Sequence, residues 1–419
     1  MAPLNLMALF EKTVSSLSAE RLAANAVGEA VNPGEPGAWH IIALGKVACD
    51  MARGAHRALG TCAGGIAACH RVAPVPAGVR LVLGSHPFPN EGSERAGRAL
   101  LEEGRQLRSS DRVLFLLSGG GSSIAAVPAE GLDLDGKVAS TRALLASGVP
   151  IEEMNAVRKH LSRLKGGQLG AASGAGRGMA FVLGDVPSGD MASVASGPTC
   201  PDPTTFRDCL EIVRGRRVEL PSRARARLER GAAGALPETP KPGDPLLARI
   251  EHRLLAEPGE LARTAARLAT SSGIPCEHWP SAFSLPVEEL AERIVSELRA
   301  TRREILLALS GEPTVKAPSG AGRGGRMQHL ALLLARSLAG ASFRALCAGS
   351  DGRDGDTPHC GAQVDGHTAE RAVSLGLDLD RAIERFDSAE TCRALGVALP
   401  AFESGTNLCD LILVHWSPT

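Results

Sequence analysis

Six short apolar runs in this chain end in residues suited to holding anions or metal ions. Residues 40–44 run into Gly45-Lys46, residues 79–83 into Gly84-Ser85-His86-Pro87, and residues 112–117 into Ser118-Gly119-Gly120-Gly121-Ser122-Ser123. Residues 179–183 precede Gly184-Asp185, residues 304–309 precede Ser310-Gly311-Glu312, and residues 343–348 precede Gly349-Ser350-Asp351-Gly352. Glycine lets a backbone approach an anion closely, and the amides of a following helix N-terminus add donors and positive dipole. Three consecutive glycines cost chain entropy unless the backbone takes positive φ or admits a ligand, so 118–122 is the foremost phosphate-loop candidate.

A second glycine cluster, Gly320 to Gly325 followed by Arg326, fits Gly-x-Gly-x-x-Gly literally. No strand feeds it directly and no acidic residue follows at the spacing a dinucleotide fingerprint needs, so it reads better as an anion-binding loop through Gly322, Gly324 and Gly325. Asp185-Val-Pro-Ser-Gly-Asp190 and the loop from Asp351 to Asp356 put carboxylates at strand ends. Mg²⁺ takes one or two protein carboxylates beside phosphate oxygens, which makes Asp185, Asp190 and Asp351 its candidate ligands. Only seven of the 46 basic residues are lysines. Lys46, Lys159 and Lys165, with Arg158 and Asn155 nearby, therefore stand out as compact or forked cations placed for a purpose.

The elements that position these residues alternate in type. Runs of four to seven apolar residues without alternation read as strands buried on both faces. Between them, residues 47–59, 92–107, 152–169, 258–271, 287–301 and 326–338 carry apolar residues at helical spacing. Strands alternating with helices imply right-handed crossovers and a largely parallel sheet, with ligands at the carboxyl edge of the strands. At 419 residues the chain exceeds one ordinary core. The proline-rich segment 221–245 reads as the linker between domains at 1–235 and 246–419.

Acidic and basic residues balance at 46 each, which gives no electrostatic case for nucleic acid or an anionic membrane. No apolar run approaches a membrane span and the N-terminus lacks a signal-peptide pattern, so a cytoplasmic location is expected. The ten cysteines contain no Cys-x-x-Cys pair and read as buried free thiols.

In this order, the segments resemble the glycerate 2-kinase family, whose C-terminal half is called the MOFRL domain. The matching stretches are Gly45-Lys46, Ser85-His86-Pro87, Ser118 to Ser122, Asn155-Ala-Val-Arg-Lys-His-Leu-Ser-Arg-Leu-Lys-Gly-Gly, Gly184-Asp185-Val-Pro and Ala195-Ser-Gly-Pro-Thr. Gly322 to Arg326, Gly349-Ser-Asp-Gly352 and Gly405-Thr-Asn407 with Asp410 continue the match. The resemblance implies an α/β fold, with a Rossmann-like N-terminal domain, a smaller MOFRL-type α/β domain and an active site between them. It implies ATP and Mg²⁺ as cofactors, glycerate as small-molecule substrate, and phosphorylation of D-glycerate to 2-phosphoglycerate. It casts Lys46 and Arg326 as the catalytic cationic pair. Asp351 and the glycines at 322, 324 and 325 would serve the nucleotide, while Ser118 to Ser122, Asn155 and Arg158 or Lys159 would hold substrate or phosphate. Homodimerisation is left open. The chain departs from the family pattern at Met327, His329, Pro358, His359 and Cys409. Two alternatives follow: a kinase-like protein with lost or altered catalysis, and an NAD(P)H-dependent hydroxypyruvate reductase.

Overall fold

The structure, a computed structural model, describes residues 4–31, 38–184, 189–317 and 320–418. The chain forms two compact units. One is built from Ala19–Gly184 and Asp190–Leu255, the other from residues after Leu255 together with those up to Ser18.

The first unit is organised on a six-stranded sheet of β1 (Trp39–Leu44), β2 (Gly64–Cys69), β3 (Val79–Leu83), β4 (Arg112–Ser118), β5 (Arg177–Leu183) and β6 (Ile250–Leu254). Their order is β3-β2-β1-β4-β5-β6, and every neighbouring pair is parallel. This is the doubly wound arrangement that the alternating pattern predicts. Helices cover both faces, so β4 and β5 are buried along nearly their whole length. The strand order reverses between β1 and β4, and ligands of such sheets bind outside the carboxyl ends at that point. The Gly45-Lys46 and Ser118 to Ser122 segments leave the sheet there.

Two expectations fail in this unit. Segment 221–245 is not a linker, because Ser222–Ala232 is a helix packed on helix Phe206–Gly215. Its arginines mask a sparse apolar stripe of Ala224 and Leu228, and a Cβ on Gly231 would overlap the Phe206 ring. β6 then extends the sheet, so the first unit continues to Leu255. The helix expected over 152–169 stops at His160. Residues 161–167 turn instead: Ser162 Oγ accepts from the amides of Leu164 and Lys165, and Gly166 and Gly167 take φ of +58° and +79°. That turn aims the side chain of Lys165 inward.

The second unit carries β7 (Cys276–His278), β8 (Ile305–Gly311), β9 (Phe343–Gly349), β10 (His359–Asp365), β11 (Ala398–Pro400) and β12 (Asp410–Trp416), in the order β11-β10-β9-β12-β8-β7. Here the parallel expectation holds only for β7 with β8; all other pairs are antiparallel. β10 follows β9 through a loop with no crossover helix, and β12 inserts antiparallel between β9 and β8. Helices Val287–Ala300 and Arg326–Ser337 pack their Leu290, Ile294, Leu330 and Leu334 onto this sheet. Among the described residues no helix is long and apolar enough to cross a membrane. All ten cysteines are free thiols; Cys62 and Cys276 are only half-buried, against the expectation that all are interior.

Candidate active site

In the first unit, the ends of β1 and β4 interlock. Lys46 N donates to Gly119 O at 2.9 Å, and Val47 N donates to Ser118 Oγ at 3.3 Å. Gly45 has φ of +133°, and a Cβ there would overlap the Ser118 hydroxyl and carbonyl. Gly120 has φ of +77°, and a Cβ on it would lie 2.9 Å from Lys46 Cγ and 3.0 Å from His86 Cδ2. Both glycines are thus required for the Lys46 stem to lie on the triple-glycine turn.

A chain of polar contacts leads away from that turn. Ser122 Oγ lies 2.7 Å from Ser196 Oγ, which donates to Asn155 Oδ1 at 3.1 Å. Arg158 Nη1 donates to the same oxygen at 3.2 Å, and Lys165 Nζ donates to Ser122 O at 3.1 Å. Burial lowers the pKa of Arg158, although a guanidinium remains charged under any ordinary condition. The first unit therefore brings together Lys46, Ser118 to Ser122, Asn155, Arg158 and Lys165, and adds Ser196. Ser196 sits in a run of left-handed residues, with φ of +53°, +61° and +59° at Ala195, Ser196 and Gly197. Such backbone costs about 1–3 kcal/mol per non-glycine residue and is held where geometry is needed. Its sequence signal was the Ala-Ser-Gly-Pro-Thr stretch, which carries no chemistry by type alone.

The structure separates the two residues proposed for a substrate carboxylate. Arg158 joins the serine network, whereas Lys159 Nζ lies 3.5 Å from Asp202 Oδ1. Asp202 is fully buried and also accepts from Thr204 and Thr239. Lys159 is a structural counterion to it.

In the second unit, Arg326 opens its helix and is gripped by two acids. Nε donates to Asp410 Oδ2 at 2.6 Å and Nη2 to Oδ1 at 3.4 Å, while Nη1 donates to Glu312 Oε1 at 2.6 Å. Burial presses the guanidinium toward neutrality, but Asp410 and Glu312 outweigh it and raise its pKa. Burial pushes Asp410 up, against the pull of Arg326. Two of the five guanidinium N–H groups are left over to reach a ligand.

The anion-loop reading of the second glycine cluster needs correction. Cβ atoms on Gly322, Gly324 and Gly325 would overlap Asp387, Ser388 and Asp354. Asp354 Oδ1 and Oδ2 accept the amides of Met327 and Gln328 at 3.0 and 2.8 Å. The helix N-terminus offered to a nucleotide phosphate already holds the chain's own carboxylate. Burial pushes Asp354 up to about 6, with the two amides pulling it down.

The acidic candidates divide as well. Asp185 lies outside the described residues. Asp190 accepts from Ala192 N and Ser193 Oγ, and Asp351 Oδ1 accepts from Arg353 N, both as local turns. Among the described residues no group of three or more His, Cys, Asp or Glu could hold a metal ion. Asn407, which the sequence places in a matching stretch without a role, is buried with both side-chain amide atoms unpartnered in the segment leading to Asp410.

Both the sequence and the fold match those of known proteins. Residues 5–229 match the family described as "Domain of unknown function (DUF4147)", and residues 305–410 match the MOFRL family. The chain is 31% identical over 386 residues to a glycerate 2-kinase of Pyrococcus horikoshii, covering 90% of this chain and 87% of that one. It belongs to the MOFRL-type glycerate kinase family. A putative hydroxypyruvate reductase of Agrobacterium vitis is 34% identical over 348 residues, 80% of this chain and 77% of that protein. A crystal structure of glycerate kinase from Thermotoga maritima superposes with a TM-score of 0.85 at 31% identity, covering 98% of both chains.

The positions at which this member of the glycerate kinase family departs from the pattern are mostly interior. Met327 is fully buried in the core under the second sheet. His329 is buried, stacks on Phe386 at 4.5 Å and 2°, and has neither ring nitrogen hydrogen-bonded. Burial lowers its pKa, so it packs as a neutral ring. Cys409 is buried beside Asp410 in sequence.

Proposed function

We propose that this protein transfers the γ-phosphoryl group of ATP to D-glycerate, giving 2-phosphoglycerate. The observation that carries the proposal is the interlock of Lys46 with the triple-glycine turn, continued through Ser122, Ser196 and Asn155 to Arg158. It offers backbone amides and cations at the switch point of a doubly wound sheet, where phosphate and carboxylate groups are bound. Family membership supports the substrate class.

Phosphoryl transfer demands in-line positioning and positive charge on the oxygens that gain charge. In this reading Arg158 and Asn155 hold the glycerate carboxylate, the 118–122 turn holds an anionic group by its amides, and Lys46 neutralises developing charge. Arg326 acts through its two remaining N–H groups, with Asp410 and Glu312 fixing its plane. Mg²⁺ would arrive with the nucleotide phosphates, and either Asp190 or Asp351 could contribute one carboxylate to its shell.

A reductase reading has little support from the glycine fingerprint, because the carboxylate of Asp354 occupies the helix N-terminus that a pyrophosphate would need. The test is ADP release with ATP, Mg²⁺ and D-glycerate, followed by identification of the phosphoglycerate isomer. In parallel, NADH oxidation is followed with hydroxypyruvate. Lys46→Ala is expected to lower kcat by roughly 10²–10³-fold, or about 3–4 kcal/mol. Turnover within about threefold of wild type would remove Lys46 from the mechanism. NADH loss without ADP release would overturn the kinase reading, and silence in both assays would favour a member with altered catalysis.

A further inference from the structure

Two buried lysines lie behind the serine network, and neither has a counterion among the described residues. Lys165 is 1% exposed and Lys137 6% exposed. The Lys165 ammonium donates to Ser122 O, in the glycine turn. The Lys137 ammonium donates to Leu161 O at 3.1 Å, at the end of the helix that carries Arg158. Each ammonium has three donors and is given one acceptor, a neutral carbonyl. Arg158 and Lys137 both act on Lys165 as like charges, and Arg158 acts on Lys137.

The carboxylates of the surrounding elements are committed elsewhere or exposed. Asp202 serves Lys159, and Glu238 serves His160 and Lys241. Glu153 serves Arg216 and Asp133 serves Arg223, while Glu130, Asp135, Glu152 and Glu229 face solvent. Arg227, on helix Ser222–Ala232, adds a further cation and donates to His160 O and Glu130 O. Arg142, Arg163 and Arg230, also on these elements, are exposed. Among the described residues no carboxylate forms an ion pair with Lys137, Arg158 or Lys165.

Burying like charges together without a counterion is strongly unfavourable, and a fold keeps such a cluster only if the charges are discharged or an anion balances them. We propose that Lys137 and Lys165 are positioning residues behind an oxyanion site headed by Arg158, Asn155 and Ser122, and that the site takes up protons when its anion binds. The ligand class is a carboxylate or another small oxyanion; glycerate enters as a probe because of the function proposed above, on which that one choice rests. Burial holds Lys137 near 7 and Lys165 well below its ordinary value. An arriving negative charge favours the ammonium forms, so protons bind with the anion. The alternative is that both lysines only cap carbonyls, in which case they do not titrate with ligand.

The test is isothermal titration of the full chain with D-glycerate, and separately with sulfate, at about pH 8 in buffers of different ionisation enthalpy. Each series is run without and with ADP. The expected result is uptake of about half a proton or more per anion bound, and affinity that falls as pH rises through about 7–9. Lys137→Met is expected to reduce the uptake and weaken binding by about tenfold or more. Lys137→Arg, which keeps the charge but cannot titrate in this range, retains binding with reduced uptake. Lys165→Met provides a second reading if either Lys137 variant unfolds, with thermal melting as the control for folding. Anion binding without proton uptake, or uptake unchanged in variants at both lysines, overturns the inference while leaving the kinase reading intact. Sulfate uptake with protons but no glycerate binding sustains the oxyanion site and refutes glycerate. Folded protein that binds neither anion refutes the site.

Discussion

Asp354 offers a sharp test of how the second unit holds its helix. Its carboxylate is 3% exposed and accepts the first amides of helix Arg326–Ser337, yet burial raises it from 3.8 to about 6. A rise of that size corresponds to about 3 kcal/mol. The sign follows from proton counting. Between about pH 4 and 6 the folded state binds the Asp354 proton more tightly than the unfolded chain does, so this residue's contribution to stability falls as pH rises through that window. Above about pH 7 the loss is complete and constant. Asp354→Asn cannot ionise. It keeps one amide acceptor and orphans the other, a fixed cost of about 1–2 kcal/mol at every pH. The difference in unfolding free energy between the Asp354→Asn variant and wild type should therefore swing by about 3 kcal/mol in favour of the variant between about pH 4 and 7. Trp279 and Trp416 lie in the second unit and Trp39 in the first. Urea unfolding followed by fluorescence in a Trp39→Phe background therefore reports on the relevant unit alone. A difference that stays flat across this range would refute the burial argument.

Other consequences are testable by simpler means. Gly45→Ala puts a side chain at φ of +133° into the Ser118 backbone, and should destabilise the first unit by about 3 kcal/mol or more, read by urea unfolding. A melting temperature within about 2 °C of wild type would contradict the interlock. Arg158→Ala and Lys159→Ala should separate cleanly although they are adjacent. The first should raise KM for glycerate by roughly 10–10²-fold with little effect on melting, as loss of a charged hydrogen-bond partner. The second should cost about 3 kcal/mol of stability by leaving buried Asp202 without its cation, with a small effect on KM. The reverse pattern would exchange their assigned roles.

Much of the first sheet was readable from local pattern. Strands buried on both faces need continuous apolar runs, and those of β1, β4 and β5 are bounded by glycine, serine or aspartate. β2 was not anticipated, because Gly64-Gly65-Ile66-Ala67-Ala68 is made of small residues with little strand signal of their own. The second sheet's mixed direction was not readable either. The antiparallel insertion of β12 between β9 and β8 depends on pairing across more than sixty residues, on which local periodicity is silent.

Residue type and spacing by themselves singled out the ends of β1 and β4 as the candidate anion site, since glycine runs and scarce lysines are costly to keep without a use. Tertiary structure alone decided which cation meets which partner. Arg158 and Lys159 are equal candidates as letters; one turns toward Asn155 and the other toward Asp202, because successive helical positions point about 100° apart. The same holds for the glycines before Arg326. Their spacing fits a phosphate loop, but the amides they expose are taken by Asp354, a residue twenty-eight positions downstream that only folding brings to the helix end.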